Sequence, residues 1–191
     1  MNKTTRTLVF IALYAAMAVV FDYLNQFIPF LQMPQGGSIN IAVIPVFIAS
    51  YQLGWKEGIV TGLLWWLIGL MFGLNNYMVS PMQTVLDYVI PAIICGFASA
   101  LPRIGSISNV YVGITVTMLL KYVSHVLAGV YFWFPEGEAA GTIGAWFYSL
   151  NYNAWYNLAT LVVAIIATPI LIKMLNNSSV TRFSAIKSKE A

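Results

Sequence analysis

The sequence predicts an all-α membrane protein, a six-transmembrane-helix bundle with both termini cytoplasmic. Three observations predict it. Of 191 residues, 60% are hydrophobic and 8% charged, where a soluble domain carries roughly a quarter charged residues. Six apolar stretches are separated by Gly, Pro and Asn breakers. With six crossings, the basic residues at the ends and in the loops all fall on one side.

Lys3 and Arg6 ahead of an apolar run mimic a secretion signal. The run continues to Phe30, too long for a signal core of ~7–15 residues. It reads as helix 1, Thr7–Phe30. Helices 2 to 6 are expected at Asn40–Leu53, Glu57–Leu74, Ser80–Leu101, Tyr111–Phe134 and Asn153–Leu175. The breakers are Met33 to Ser38, Gly54 to Lys56, Asn75-Asn76, Pro102 to Gly105, and Pro135 to Gly137. Residues 1–175 form one membrane domain, and 176–191 read as a short basic cytoplasmic tail. Lys3, Arg6, Lys56, Arg103, Lys173, Arg182, Lys187 and Lys189 share the cytoplasmic side, while the opposite loops carry only Glu136 and Glu138.

Helix 2 is short and contains Pro45. Segment 33–38 is either a plain extracellular loop or backbone dipping into the outer half of the bundle. The latter is allowed only where protein or a water-filled cavity satisfies it, and broken segments of this kind point to binding sites.

Ionisable groups in the apolar stretches carry the functional signal. Asp87, Lys121 and His125 lie well inside helices 3 to 6, and each costs at least ~2.5–3.5 kcal/mol at a helix centre unless it faces the bundle interior. Lys121 and His125 are four apart, as are Gln83 and Asp87, so each pair shares a helix face. Asp87 lies ~10 Å and His125 ~14 Å from the outer ends of their helices. They can meet in the outer half of the membrane with Lys121 one turn deeper. Asn40, Tyr77, Tyr88, Trp133, Trp146, Tyr148, Asn151 and Asn153 add polar and aromatic groups to that layer. The grouping reads as an outward-open pocket closed below by Lys121. The competing reading is a structural pair of Asp87 with Lys121 or His125, with the aromatics as an interfacial belt. Asp22, followed by Asn25 and Gln26, is expected to meet headgroups at the outer end of helix 1. Ala12 and Ala16 are small residues four apart that permit close helix approach, by spacing alone ordinary packing within the bundle.

Other classes fit poorly. The charge of +3 is scattered and is no nucleic-acid footprint. No G-x-x-x-x-G-K-[ST] loop is present, so uphill transport needs a partner or an ion gradient. A Ser–His hydrolase would need His125 with Ser80, Ser124 or Ser149, yet no G-x-S-x-G occurs. The chain is not expected to be an enzyme. One His and the lone Cys95 make a poor metal site, and no cofactor is expected.

Four motifs occur in order: Met33-Pro34-Gln35-Gly36-Gly37-Ser38; Gln83-x-x-Leu86-Asp87-Tyr88; Leu120-Lys121-Tyr122-x-x-His125-x-x-Ala128-Gly129; and Tyr148-Ser149-Leu150-x-Tyr152-Asn153. Together they resemble the thiamine-binding S components of energy-coupling factor (ECF) transporters, the ThiT family, over nearly the whole chain. The resemblance implies a high-affinity vitamin-binding subunit in a bacterial plasma membrane. Its partners would be thiamine, a transmembrane coupling subunit and two cytoplasmic ATPases. It implies an acidic ligand contact at Asp87, further pocket positions at Lys121, His125, Tyr148, Asn153, Trp133 and Tyr77, and coupling-subunit docking at Ala12 and Ala16. The chain departs from the family at Asn40, where some members carry a carboxylate, and at Gly36, where they carry Trp. Thiamine is a cation with a hydrogen-bonding pyrimidine, which suits a carboxylate and aromatic faces. Lys121 is expected to pair with Asp87 or to face the ligand's hydroxyl end. An S component for another small vitamin and a small ion-driven secondary transporter are the alternatives.

Overall fold

The computed structural model describes residues 2–34, 36–74 and 77–177. They hold six helices: α1 (Lys3–Asn25), α2 (Val43–Leu53), α3 (Trp55–Met71), α4 (Pro81–Gly96), α5 (Asn109–Phe132) and α6 (Ile143–Asn177). Among the described residues, α1, α5 and α6 are long and apolar enough to cross a membrane. The Asn75-Asn76 breaker, Gln35 and the tail from residue 178 lie outside the described residues.

Local chemistry sets most of the boundaries. Asn2 Oδ1 accepts the Thr5 amide at 2.7 Å and starts α1. Ser80 Oγ accepts the Gln83 amide at 3.1 Å, with Pro81 in the first turn of α4. These side-chain caps satisfy amides that have no partner inside the helix. Helix α2 begins at Val43, later than the expected Asn40, because Asn40 Oδ1 turns back to accept the Ala42 amide at 2.8 Å. Gly54, with φ 124°, is the sole residue between α2 and α3.

Eleven residues of α2 span ~16 Å, well short of the ~30 Å hydrocarbon layer. Val43 through Gln52 are nevertheless buried, because α1, α3, α4 and α6 surround the helix. An all-round apolar helix is stable in such a position. Tyr51 anchors its end, donating toward the carbonyls of Ala98, Asn109 and Val110 at 3.1–3.3 Å.

Helices α3 and α4 touch backbone to backbone. A Cβ on Gly62 would lie 2.4 Å from the Ala92 carbonyl oxygen, and one on Gly58 2.4 Å from that of Gly96. Small residues permit this approach, which stands in for the missing hydrophobic drive between helices in lipid. Gly62→Val is therefore expected to cost ~1–3 kcal/mol or more, read as a lower unfolding midpoint in detergent. An unchanged midpoint would mean the helices separate freely.

The largest correction to the sequence expectation is α6. It starts at Ile143, ten residues before the expected Asn153. No proline lies between Thr142 and Asn153, the isolated Gly144 is tolerated in a helix, and Thr142 Oγ1 accepts the Ala145 amide at 3.2 Å. The Tyr, Trp and Asn residues there read as an interfacial loop in one dimension. In three, they are two turns of helix.

Candidate functional site

Two cavities of about 340 and 480 Å³ lie side by side among the helices. Gly37, Tyr77, Asp87, Tyr88, His125 and Tyr156 border both. The first extends toward α1 and α3, to Asp22, Trp65 and Trp66. The second extends toward the start of α6 and the loop before it, to Trp133, Glu136, Tyr148 and Asn153. Such volumes suit a small organic solute.

Asp87 projects from α4 into the shared wall. Gln83 Nε2 donates to its Oδ2 at 2.6 Å, and Trp133 Nε1 donates to the same oxygen at 3.0 Å. The Gln83 bond follows the four-residue spacing seen in the sequence. Trp133 brings in the far end of α5.

His125 is held by a chain of hydrogen bonds from α6. Ser149 Oγ donates to the Val126 carbonyl at 2.8 Å and accepts Asn153 Nδ2 at 3.1 Å. Tyr156 donates its hydroxyl hydrogen to Asn153 Oδ1. His125 Nδ1 lies 2.8 Å from that hydroxyl oxygen. The hydroxyl hydrogen is committed to Asn153, so the hydroxyl oxygen is left to accept from His125 Nδ1–H. Nε2 is buried and has no hydrogen-bond partner. A buried polar atom without a partner costs ~1–3 kcal/mol, and the residue that carries it lines both cavities.

Lys121 is 5% exposed and borders the first cavity. The expected pairing with Asp87 is corrected: its ammonium donates to Asn157 Oδ1 at 2.8 Å and lies 5.7 Å from the centre of the Tyr156 ring. A buried ammonium requires an acceptor, and Asn157 on α6 supplies it.

Asp22 is also corrected. It is half-buried and does not meet headgroups. Asn40 Nδ2 donates to one carboxylate oxygen and Trp65 Nε1 to the other, both at 3.2 Å. The carboxylate belongs to the first cavity, because the segment carrying Asn40 and the face of α3 carrying Trp65 fold over it.

Residues 36–38 lie along the cavities, with Gly37 on the shared wall. Gln32 pairs with Ser38 in an isolated bridge, and Met33 N–H donates to the Gly37 carbonyl at 2.9 Å. Tyr152 donates its hydroxyl to the Gly36 carbonyl at 3.0 Å. Gly37 has φ 88°, and a Cβ there would lie 2.9 Å from the Tyr156 ring. Conformation and space both require glycine. The described residues of segment 33–38 pack on α6 through Tyr152 and Tyr156.

The structure thus brings Asp87, His125, Lys121, Tyr77, Tyr88, Asn40, Trp133, Tyr148 and Asn153 to the two cavities. It does not bring in Trp146 or Asn151, which are exposed and border neither. Asn151 lies two residues from each of Ser149 and Asn153, ~200° around the helix from either, and donates to the Phe147 carbonyl at 2.8 Å. Trp146 sits in the first turn of α6. Tyr152, Tyr156 and Asn157 are site residues that sequence reasoning missed. The four-residue repeats Ser149, Asn153, Asn157 and Tyr152, Tyr156, Thr160 mark that polar face once the helix is known to start at Ile143. Cys95 is buried and borders the first cavity. Among the described residues, no cluster of His, Cys, Asp or Glu could hold a metal ion.

Fold and site together define a class: a helical membrane bundle enclosing a polar, solute-sized binding space. The model for the thiamine transporter protein family (Thia_YuaJ) matches residues 8–179, and the chain belongs to that family. It is 35% identical over 185 residues to the thiamine transporter ThiT of Bacillus subtilis, covering 89% of this chain and 92% of that one. It is 27% identical over 177 residues to the thiamine transporter ThiT of Lacticaseibacillus paracasei, 84% of each chain. The structure of ThiT from Listeria monocytogenes superimposes with a TM-score of 0.72 at 23% identity, over 91% of this chain and 96% of that chain. That likeness carries the fold. The family is one of bacterial multi-pass membrane transport proteins, not enzymes.

Proposed function

We propose that this chain is the membrane-embedded, thiamine-binding subunit of an ECF-type vitamin uptake transporter. The observation that carries the reading is the charge and hydrogen-bond inventory of the paired cavities. The buried part of the lining carries two carboxylates, Asp22 and Asp87, and a single ammonium, Lys121, while Glu136 at the second cavity is exposed. One net negative charge suits a monocation such as the thiazolium. Tyr77, Tyr88, Trp133 and Tyr148 line the cavities, and an aromatic face turned to a cation attracts it by ~0.5–2 kcal/mol. His125 borders both cavities and adds a hydrogen-bonding ring to their lining.

The site residues of this reading are Asp87, His125, Lys121, Asn40, Tyr77, Tyr88, Trp133, Tyr148 and Asn153. Capture occurs from outside, with both termini cytoplasmic. A coupling subunit and two cytoplasmic ATPases supply the energy. Ala12 and Ala16 are exposed on α1, whereas Ala15 and Ala18 point into the bundle. The exposed pair is where the coupling subunit would dock.

The test is a titration of the purified chain with thiamine, followed by quenching of its six tryptophans. Saturable binding by the chain alone, with uptake only when the ATPase module is present, is expected. Binding of a flavin or biotin with no thiamine response would reassign the substrate. Gradient-driven uptake by this chain alone would make it a secondary transporter.

A further inference from the structure

Asp87 stands on an irregular turn. Helix α4 runs as α-helix over Pro81–Thr84, widens to a π-turn over Val85–Val89, and returns to α-helix over Ile90–Gly96. In the widened turn the Ile90 amide bonds to the Val85 carbonyl, five residues back. The next residue is Pro91, which has no N–H to give. The Leu86 carbonyl would take Ile90 in the ordinary register and residue 91 in the widened one. The first is committed and the second cannot donate, so Leu86 has no donor within its own helix.

Its donor comes from the neighbouring helix. Ser124 Oγ, on α5, reaches the Leu86 carbonyl at 2.6 Å, and Ser124 is 4% exposed. Leu86 precedes Asp87, and Ser124 precedes His125. One hydrogen bond therefore ties together the two backbone stations that carry the paired site groups. A π-turn inserts one residue, and its loss would rotate one side of the helix by ~100° against the other. Asp87 would then leave the wall it shares with His125. Gln83 and Trp133 hold the carboxylate once it is there, but they do not satisfy the Leu86 carbonyl.

We propose that Ser124 is a positioning residue of the binding site, whose hydroxyl supplies the donor that Pro91 withholds from Leu86 and so holds the widened turn that aims Asp87 at the ligand. The inference rests on the thiamine reading for its affinity test but not for its spectroscopic one. In the full chain, Ser124→Ala is expected to weaken thiamine binding by ~10-fold, as loss of one buried hydrogen bond at a positioning site allows. Ser124→Thr keeps the hydroxyl and restores most of the affinity. In an Asp87→Asn background, Ser124→Ala adds less than about twofold, because the two residues act as a unit. An equal loss in both backgrounds, or wild-type affinity in Ser124→Ala, would overturn the proposal.

Without ligand, the Trp133 indole N–H reports directly, since it bonds to Asp87. Its resonance in ¹⁵N-tryptophan-labelled protein should move in Ser124→Ala and return in Ser124→Thr. An unmoved resonance would overturn the proposal even if thiamine is not the substrate. Failure of wild type to bind thiamine would instead overturn only the substrate.

Discussion

Asp87→Asn is expected to weaken thiamine binding by about 100-fold while leaving the unfolding midpoint of the bundle nearly unchanged. Both protein donors to Asp87, Gln83 Nε2 and Trp133 Nε1, land on Oδ2. Oδ1 is left to the cavity. An asparagine keeps one oxygen for Gln83 and Trp133 and presents an NH₂ group where Oδ1 stood, so the internal bonds survive. Toward the ligand everything changes: the charge is gone and an acceptor has become a donor. Hydrogen bonds involving a charged group contribute ~1.5–3 kcal/mol each, which is about 10- to 150-fold in affinity. Losing charge and bond polarity together places the effect near the upper end. A fluorescence titration beside a thermal melt measures both quantities. Affinity within about threefold of wild type would remove Asp87 from the ligand's surroundings.

The legible and illegible parts of the site divide by range of interaction. Helix positions followed from apolar length and breakers, and the sharing of faces by Gln83 with Asp87 and by Lys121 with His125 followed from four-residue spacing. Those are local rules, and the structure brings Asp87 and His125 to the shared wall, Gln83 into a hydrogen bond with Asp87, and Lys121 to the first cavity. Asp22 was illegible because its partners lie 18 and 43 residues away. Nothing within helix 1 distinguishes a carboxylate at the headgroups from one covered by Asn40 and Trp65. The Asp87 pairing, one of the two expectations for Lys121, fails because Asn157 is a neutral partner 36 residues on, invisible to charge complementarity. The start of α6 was lost because interfacial aromatics and helical aromatics have the same composition. The π-turn at Val85–Val89 follows from Pro91 only once Ser124 is known to be within reach.

Asp22→Asn separates charge from architecture. Asp22 is bonded to Asn40 and Trp65, so a purely structural brace is the rival to an electrostatic role. Lys121 is bonded to Asn157, so no direct hydrogen bond from it neutralises Asp22. Glu136 borders the second cavity but is exposed, where water and salt screen it. Asp22 and Asp87 together therefore set the sign of the binding space, and removing one of them brings it close to neutral. At an effective dielectric constant of ~20, a unit charge within roughly 10 Å of a monocation contributes on the order of 2 kcal/mol to holding it. The ratio of affinities for thiamine and for a neutral isostere, with an uncharged thiophene in place of the thiazolium, should then fall by about tenfold or more. The ratio matters because asparagine also turns one of the two acceptor positions into a donor facing a donor. That loss affects both ligands alike and cancels. Equal weakening of the two would leave Asp22 as a brace and return selection of the cation to Asp87 and the aromatic faces alone.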